Sequence, residues 1–251
     1  MIIDVLGCGS AFAKESNTSS ILVKDLNTTW LIDCGPTIPR AIWQRDMNIN
    51  DIDVIYFTHI HPDHCAGLPA LLGNWKAFKR TKPLTIFCQP KQQQALESLV
   101  KLSSWPDINL PFTLHWQSIE DQFIWDEWNI RTAFTQHEVS NRALRIDNGI
   151  NSLFYSGDGR PTKESQLLMK NVDIAFQECA CFDALPEGDS HGDLPQCIRL
   201  CEQLTVPVLV VYHCWDEHLD AIRREVSQHR HLAVSRDGWM INLSQPLLPQ
   251  L

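Results

Sequence analysis

The segment Thr58-His59-Ile60-His61-Pro62-Asp63-His64 gathers three imidazoles and a carboxylate directly after the apolar run 54–57. Ring nitrogens and a carboxylate oxygen are the donors that Zn²⁺ and similar divalent ions take. On a helix His59 and His61 would point to nearly opposite sides. The spacing therefore asks for a loop leaving a strand, where Pro62 interrupts regular continuation and the four polar side chains converge.

One loop holds too few donors for two metal shells, and further ligand types stand where other strands should end. His137 follows a strand ending at Thr135, Asp158 sits in Ser156-Gly157-Asp158-Gly159, and His213 follows the apolar run 206–212. Loops at strand ends are where a rigid scaffold presents a site. Taken singly, such a His reads equally as a hydrogen-bonded surface or core residue, and Gly-Asp-Gly as a turn. The first motif gives them joint weight.

The hydrophobic pattern supplies the elements that must carry these residues. Residues 2–6, 20–24, 29–33 and 54–58 read as strands, being short, β-branched and bounded by Gly, Asn or Asp. Residues 67–79 and 92–102 carry apolar side chains at helical spacing, with a strand at 84–88 between them and Pro90 placed to start the second helix. After Pro111 the order returns, with strands at 112–116, 128–135, 144–147 and 152–156, helices at 162–169 and 194–204, and buried strands at 172–176 and 206–212. Two halves, each strands first and helices later, suggest an α+β chain with two sheets face to face and helices outside, a four-layer αββα sandwich. Periodicity alone also admits a three-layer α/β fold. No repeat or Gly/Ser linker interrupts the pattern, which reads as a single domain over 1–251.

Of the 251 residues 44% are hydrophobic and 20% charged, which excludes disorder and coiled coil. With 21 Lys+Arg against 30 Asp+Glu the net charge is -9, so no chain-wide basic field exists to hold a long nucleic acid, and a phosphate-bearing substrate must be held locally. The longest charge-free apolar runs, such as 204–212, fall far short of the ~20 residues of a membrane span. Asp4 follows the N-terminus with no basic segment before it. Nine cysteines without a Cys-x-x-Cys pair fit reduced thiols and a cytoplasmic setting better than a disulfide framework. The tryptophans, Trp105, Trp116, Trp125 and Trp128 among them, read as core and homodimer-contact residues. Gly7-x-Gly9 lacks the third glycine of a dinucleotide fingerprint, so no nucleotide cofactor is expected.

His59-x-His61-x-Asp63-His64, followed by His137, Asp158 and His213, resembles the metallo-β-lactamase superfamily of metal-dependent hydrolases. Leu31-Ile32-Asp33-Cys34-Gly35 is similar to the Asp-x-Gly turn behind that family's metal loop. The resemblance covers nearly the whole chain and implies the αββα sandwich. It also implies that His59, His61 and His137 hold one ion and Asp63, His64 and His213 a second, with Asp158 bridging. An anionic bridge relieves the repulsion of adjacent dications. Two divalent ions are expected, zinc first, with manganese or iron as alternatives.

Superfamily phosphodiesterases resembling ribonuclease Z and the cyclic-phosphate phosphodiesterase of phosphonate metabolism carry a further Glu and His before the last ligand. Glu178, after the 172–176 strand, and His191, in Ser190-His191-Gly192-Asp193-Leu194 opening a helix, stand in the matching order. The resemblance implies catalytic roles for Asp63, His191 and Glu178. His191 at a helix N-terminus would assist the departing alkoxide or bind the phosphoryl oxygens, oriented by Glu178. The stretch 191–213 and Asp237-Gly238-Trp239 look closer to the cyclic-phosphate enzyme. Two departures stand beside the match. Only twenty residues separate His137 from Asp158, leaving no room for the basic arm with which ribonuclease Z grips tRNA. The chain also passes from Gly7-Cys8-Gly9 to the Ser20 strand without the Cys-rich zinc insertion of the phosphonate-pathway enzyme. The expected activity is hydrolysis of a small or cyclic phosphodiester through a metal-bridging hydroxide, without a membrane or a long nucleic acid as partner. Carbon-centre hydrolysis of a lactone, thioester or lactam, tRNA 3′-processing, and a metal-free binding module on the same fold are the alternatives.

Overall fold

The computed structural model describes residues 1–25, 27–204 and 206–247. The single-domain expectation at Leu26, Thr205 and 248–251 lies outside the described residues. Those described form two seven-stranded sheets. The first contains β1 (Ile2–Gly7), β2 (Ser20–Asp25), β3 (Thr28–Ile32), β4 (Val54–Tyr56), β5 (Leu84–Cys88) and β6 (Leu114–Ser118). The second contains β7 (Gln122–Trp125), β8 (Trp128–Phe134), β9 (Arg142–Asp147), β10 (Ser152–Tyr155), β11 (Ile174–Glu178), β12 (Leu209–Tyr212) and β13 (Leu232–Val234). β14 (Met240–Asn242) returns to the first sheet beside β1. From β3 to β6 and from β10 to β13 neighbouring strands are parallel, while the other pairs are antiparallel.

Strand alternation builds three apolar layers. Val54 and Tyr56 point between the sheets, where they join Trp30, Trp128, Leu144 and Phe176. Their neighbours Ile55 and Phe57 point outward, under α1 (Ile38–Trp43), α3 (Leu68–Ala77) and α4 (Gln93–Leu102). On the second sheet Ile174 and Phe176 face inward, and Ala175 lies under α6 (Leu194–Leu204) and α7 (Asp216–Val226). A sheet buried on both faces needs continuous apolar strands, as β4 and β12 are. The result is the four-layer αββα sandwich rather than the three-layer alternative, with β7 to β13 making a complete second sheet.

Several boundaries differ from the sequence reading by two residues or more, three of them at the starts of strands in the parallel parts of the two sheets. The strand expected at 112–116 is β6, starting at Leu114, and the strand expected at 172–176 is β11, whose last residue is Glu178. The strand expected at 206–212 begins only at Leu209, since Pro207 has no N–H to give a ladder. The structure adds a short helix at 62–65, α1, α7, β7, β13 and β14. The last two have three residues each, too few to show a period, and α7 buries only Ile222 and Val226 among charged residues. Among the described residues no helix is long and apolar enough to cross a membrane.

Candidate metal centre

The parallel strands β4, β10, β11 and β12 deliver their C-terminal ends to one edge of the sandwich, the place where such sheets present ligands. His59 leaves β4, Asp158 follows β10, His213 follows β12, and His137 follows β8. The loop after β4 does not stay irregular. Pro62 starts a short helix, α2 (Pro62–Cys65), so Asp63 and His64 ride on a helical turn while His59 and His61 remain on the loop. Proline fits there because the first helical N–H has no partner anyway. The turn packs against the Asp33-Cys34-Gly35 segment, where Cys34 N donates to His64 O at 2.7 Å and a Cβ at Gly35 would overlap the Asp63 carbonyl.

All seven expected donors come together, in two sets that share Asp158. His59, His61, His137 and Asp158 place ligand atoms within 4.8 Å of one another, and so do Asp63, His64, Asp158 and His213. In the first set His61 Nδ1 lies 3.1 Å from both His59 Nε2 and His137 Nε2. In the second, His64 Nε2 is 3.2 Å from Asp63 Oδ2 and from Asp158 Oδ1, and His213 Nε2 is 3.3 Å from Asp63 Oδ2 and Asp158 Oδ2.

The outward nitrogens fix the tautomers. His64 Nδ1 sits 2.8 Å from Asp33 Oδ2, a carboxylate that also accepts the Thr58 N–H and hydroxyl, both at 2.8 Å. That Nδ1 is therefore the donor toward Asp33, and Nε2 is the nitrogen turned to Asp63 and Asp158, where it can carry a second proton or bind a cation. Thr58 Oγ1, having given its proton to Asp33, accepts from His59 Nδ1 at 3.1 Å, and His137 Nδ1 donates to Ser190 O at 3.0 Å. The Nε2 atoms of His59, His64 and His137 thus aim inward at one another and at two carboxylates, an arrangement that calls for a shared proton or a cation and that a cation would turn into coordination. His64 Nε2 and Asp158 Oδ1 are buried without a hydrogen-bond partner, which fits the same demand. So does the electrostatics. Burial and then the charge of His64 hold His59 well below its usual value, while at His64 the carboxylates of Asp158 and Asp33 overcome burial and raise it well above. Among the described residues Asp33, Asp63, Asp158 and Glu178 form ion pairs only with histidines.

Glu178 and His191 meet beside the two sets. Glu178, fully buried at the end of β11, offers Oε1 to His191 Nδ1 at 2.5 Å, and its Oε2 accepts from Gly159 N and Gly192 N, both at 2.9 Å. Burial works against a charged imidazole here, but the Glu178 hydrogen bond and charge outweigh it and His191 is pushed up to about 9. The ring lies 5.3 Å from His137 and 5.6 Å from Trp215, centroid to centroid. The expected helix N-terminus is not its setting. α6 begins at Leu194, and Asp193 Oδ1 accepts from Gln196 N, so His191 belongs to the loop before the helix. A cleft of ≈ 1040 Å³ opens over the cluster, bordered by Phe12, Lys14, Glu138, His191, Trp215 and Glu217. The supporting partners Thr58 and Ser190 and the cleft residues Glu138 and Trp215 lacked individual signals, although each adjoins an expected site residue or lies two residues from one.

The sequence model of the family described as the anti-Pycsar protein Apyc1 matches residues 1–233. Ribonuclease Z of Bacillus cereus is 27% identical over 188 residues, covering 73% of this chain and 58% of that protein. The chain thus spans between about half and three-fifths of the length of the ribonuclease Z relatives it matches. The metallo-β-lactamase fold protein YhfI of Bacillus subtilis superposes with a TM-score of 0.82 at 19% identity, covering 96% of this chain and 98% of that one. A diphosphatase of the PhnP family superposes with a TM-score of 0.77 at 16% identity over 96% and 97% of the two chains. At these identities the two superpositions establish the metallo-β-lactamase fold.

Proposed function

The chain belongs to the family of the anti-Pycsar protein Apyc1, within the metallo-β-lactamase superfamily of hydrolases, and from that premise we propose that it is a dinuclear metal-dependent phosphodiesterase acting on a small or cyclic phosphodiester. His59, His61 and His137 would hold one ion, Asp63, His64 and His213 the other, and Asp158 both. Zinc suits the imidazole-rich set, with manganese or iron as alternatives. When bound, such ions lower the pKa of a water and neutralise charge on phosphoryl oxygens.

The chain's own groups account for the rest. Asp33, Thr58 and Ser190 orient the imidazoles through their outer nitrogens. Asp63, held well below the usual carboxylate range because the His213 hydrogen bond and the His64 charge outweigh burial, stays an acceptor and would orient the attacking water. Glu178 fixes His191 Nδ1–H, so a protonated ring presents Nε2–H to the leaving oxygen.

The observation that carries the phosphodiester reading is the Glu178–His191 pair beside both donor sets, since expelling an alkoxide from phosphorus needs a proton donor there. A small substrate is supported by the net charge of -9 and by the 137–158 stretch, which is spent on β9, a short turn and β10. Ribonuclease Z kinship keeps tRNA as the competing substrate. A panel of bis-aryl diesters, cyclic mononucleotides, precursor tRNA, lactones and thioesters tests the proposal. Turnover confined to carboxyl esters, or to precursor tRNA, would overturn it.

A further inference from the structure

Arg160 offers no ligand atom, yet its side chain is buried two residues beyond Asp158. Its Nη2 lies 3.0 Å from Asp193 Oδ2, and Nη1 donates to the His191 carbonyl at 3.2 Å. The Arg160 backbone exchanges two hydrogen bonds with Gln136, at 2.9 and 3.0 Å, and Gln136 immediately precedes His137. From there the Gln136 side chain donates to the carbonyls of Glu187 and Asp189 at 2.9 and 2.7 Å. The paired residues therefore grip the 187–193 segment at both ends, from the two loops that bear His137 and Asp158.

That segment needs a brace. It is irregular, exposed at Glu187 and Gly188, and among the described residues the imidazole it carries has one side-chain hydrogen bond, to Glu178. We propose that Arg160 is a positioning residue for His191. It acts through the Asp193 carboxylate and the His191 carbonyl and sets the imidazole's distance from the donor cluster. This rests on His191 being the proton donor of the proposed reaction.

The test compares R160Q, R160K, H191A and R160Q/H191A on a diester with a poor alkoxide leaving group and on a p-nitrophenyl diester. A displacement near 1 Å predicts a kcat loss of about 10–100-fold for R160Q on the alkoxide substrate, with KM unchanged and a smaller loss on p-nitrophenyl. The double variant should be no slower than H191A, and R160K should recover most of the rate. Because a buried Asp193 without its partner can unfold the loop, R160K, which keeps the charge, decides the matter if R160Q is unstable. A readout without metal accompanies these. In chelator-treated protein the His191 Nδ1–H resonance, shifted downfield by the short Glu178 contact, should move or broaden in R160Q. Equal slowing of both substrates by R160Q, or losses that add to those of H191A, would reduce Arg160 to a structural role and overturn the inference. If H191A alone slows the alkoxide substrate while R160Q and the resonance do not change, the Arg160 inference fails and the His191 reading stands. If H191A changes nothing, both fail.

Discussion

Asp33 Oδ2 lies 2.8 Å from His64 Nδ1 with both side chains fully buried, and the same carboxylate takes the N–H and the hydroxyl proton of Thr58. One residue outside the donor set thereby orients a ring in each half of the site, His64 directly and His59 through Thr58. Asp33 does this from a left-handed backbone at φ 61°, and His213 holds a similar φ of 59°. Unfavourable backbone at two such positions is the kind of strain that collects at functional sites.

Asp33→Asn is the clean probe, because asparagine accepts the left-handed backbone while losing the charge and part of the acceptor capacity for three donors. Metal affinity should fall about 10–100-fold, read by competition with a chromogenic chelator. Unaltered affinity would mean that His64 is oriented by something other than Asp33.

Gly35→Ala should destabilise the fold by at least ~2 kcal/mol, because the new Cβ collides with the Asp63 carbonyl and with Thr18 Oγ1. For a domain of this size that is a fall in Tm of about 5 °C or more. Metal content should drop with it, since α2 carries both Asp63 and His64. Gly188→Ala, where a Cβ meets nothing within 4 Å, is the control and should leave Tm in place.

Metal removal should act on stability as well as on turnover. Ions that bind only the folded chain stabilise it by about 4 kcal/mol when present at 1,000 times their Kd. Chelation should therefore lower Tm, re-addition restore it, and metal analysis of the restored protein return about two ions per chain. A Tm indifferent to chelator, with metal analysis near zero, would leave only the metal-free binding module.

The candidate ligands were legible as a set because the chemistry they would serve restricts residue type. Few side chains other than His and Asp can stand at positions 59, 61, 63, 64, 137, 158 and 213 and serve such an ion, so composition and strand-end placement carry the signal. The partners behind them leave weaker traces. Ser190 serves His137 through a carbonyl that any residue owns, and Arg160 meets Asp193 across 33 positions with no periodicity linking them. Glu178 and His191 were legible as an order of types, but not as a contact. Placing His191 at a helix start failed because Asp193, two residues on, is the side chain that caps α6. In the fold, β4 and β12 were legible as apolar runs, whereas β13 and β14 owe their existence to neighbours supplied by the rest of the sheet.

His191→Ala distinguishes the phosphodiesterase from a generic hydrolase. If the imidazole protonates the leaving oxygen, kcat on a diester with a poor alkoxide leaving group should fall about 10²–10⁴-fold with metal content intact. p-Nitrophenolate departs without needing that proton, so the defect on its diester should shrink. The pH profile carries the sign. Glu178 raises His191, so the charged donor persists toward about pH 9 and is lost as pH rises through that region, which makes an alkaline limb. His191→Ala should lack this limb. Glu178→Gln removes the carboxylate that stabilises the imidazolium, so it should move the limb to lower pH and cost less rate than His191→Ala. Full activity of His191→Ala on both diesters would make the residue a bystander and return the assignment to the fold alone.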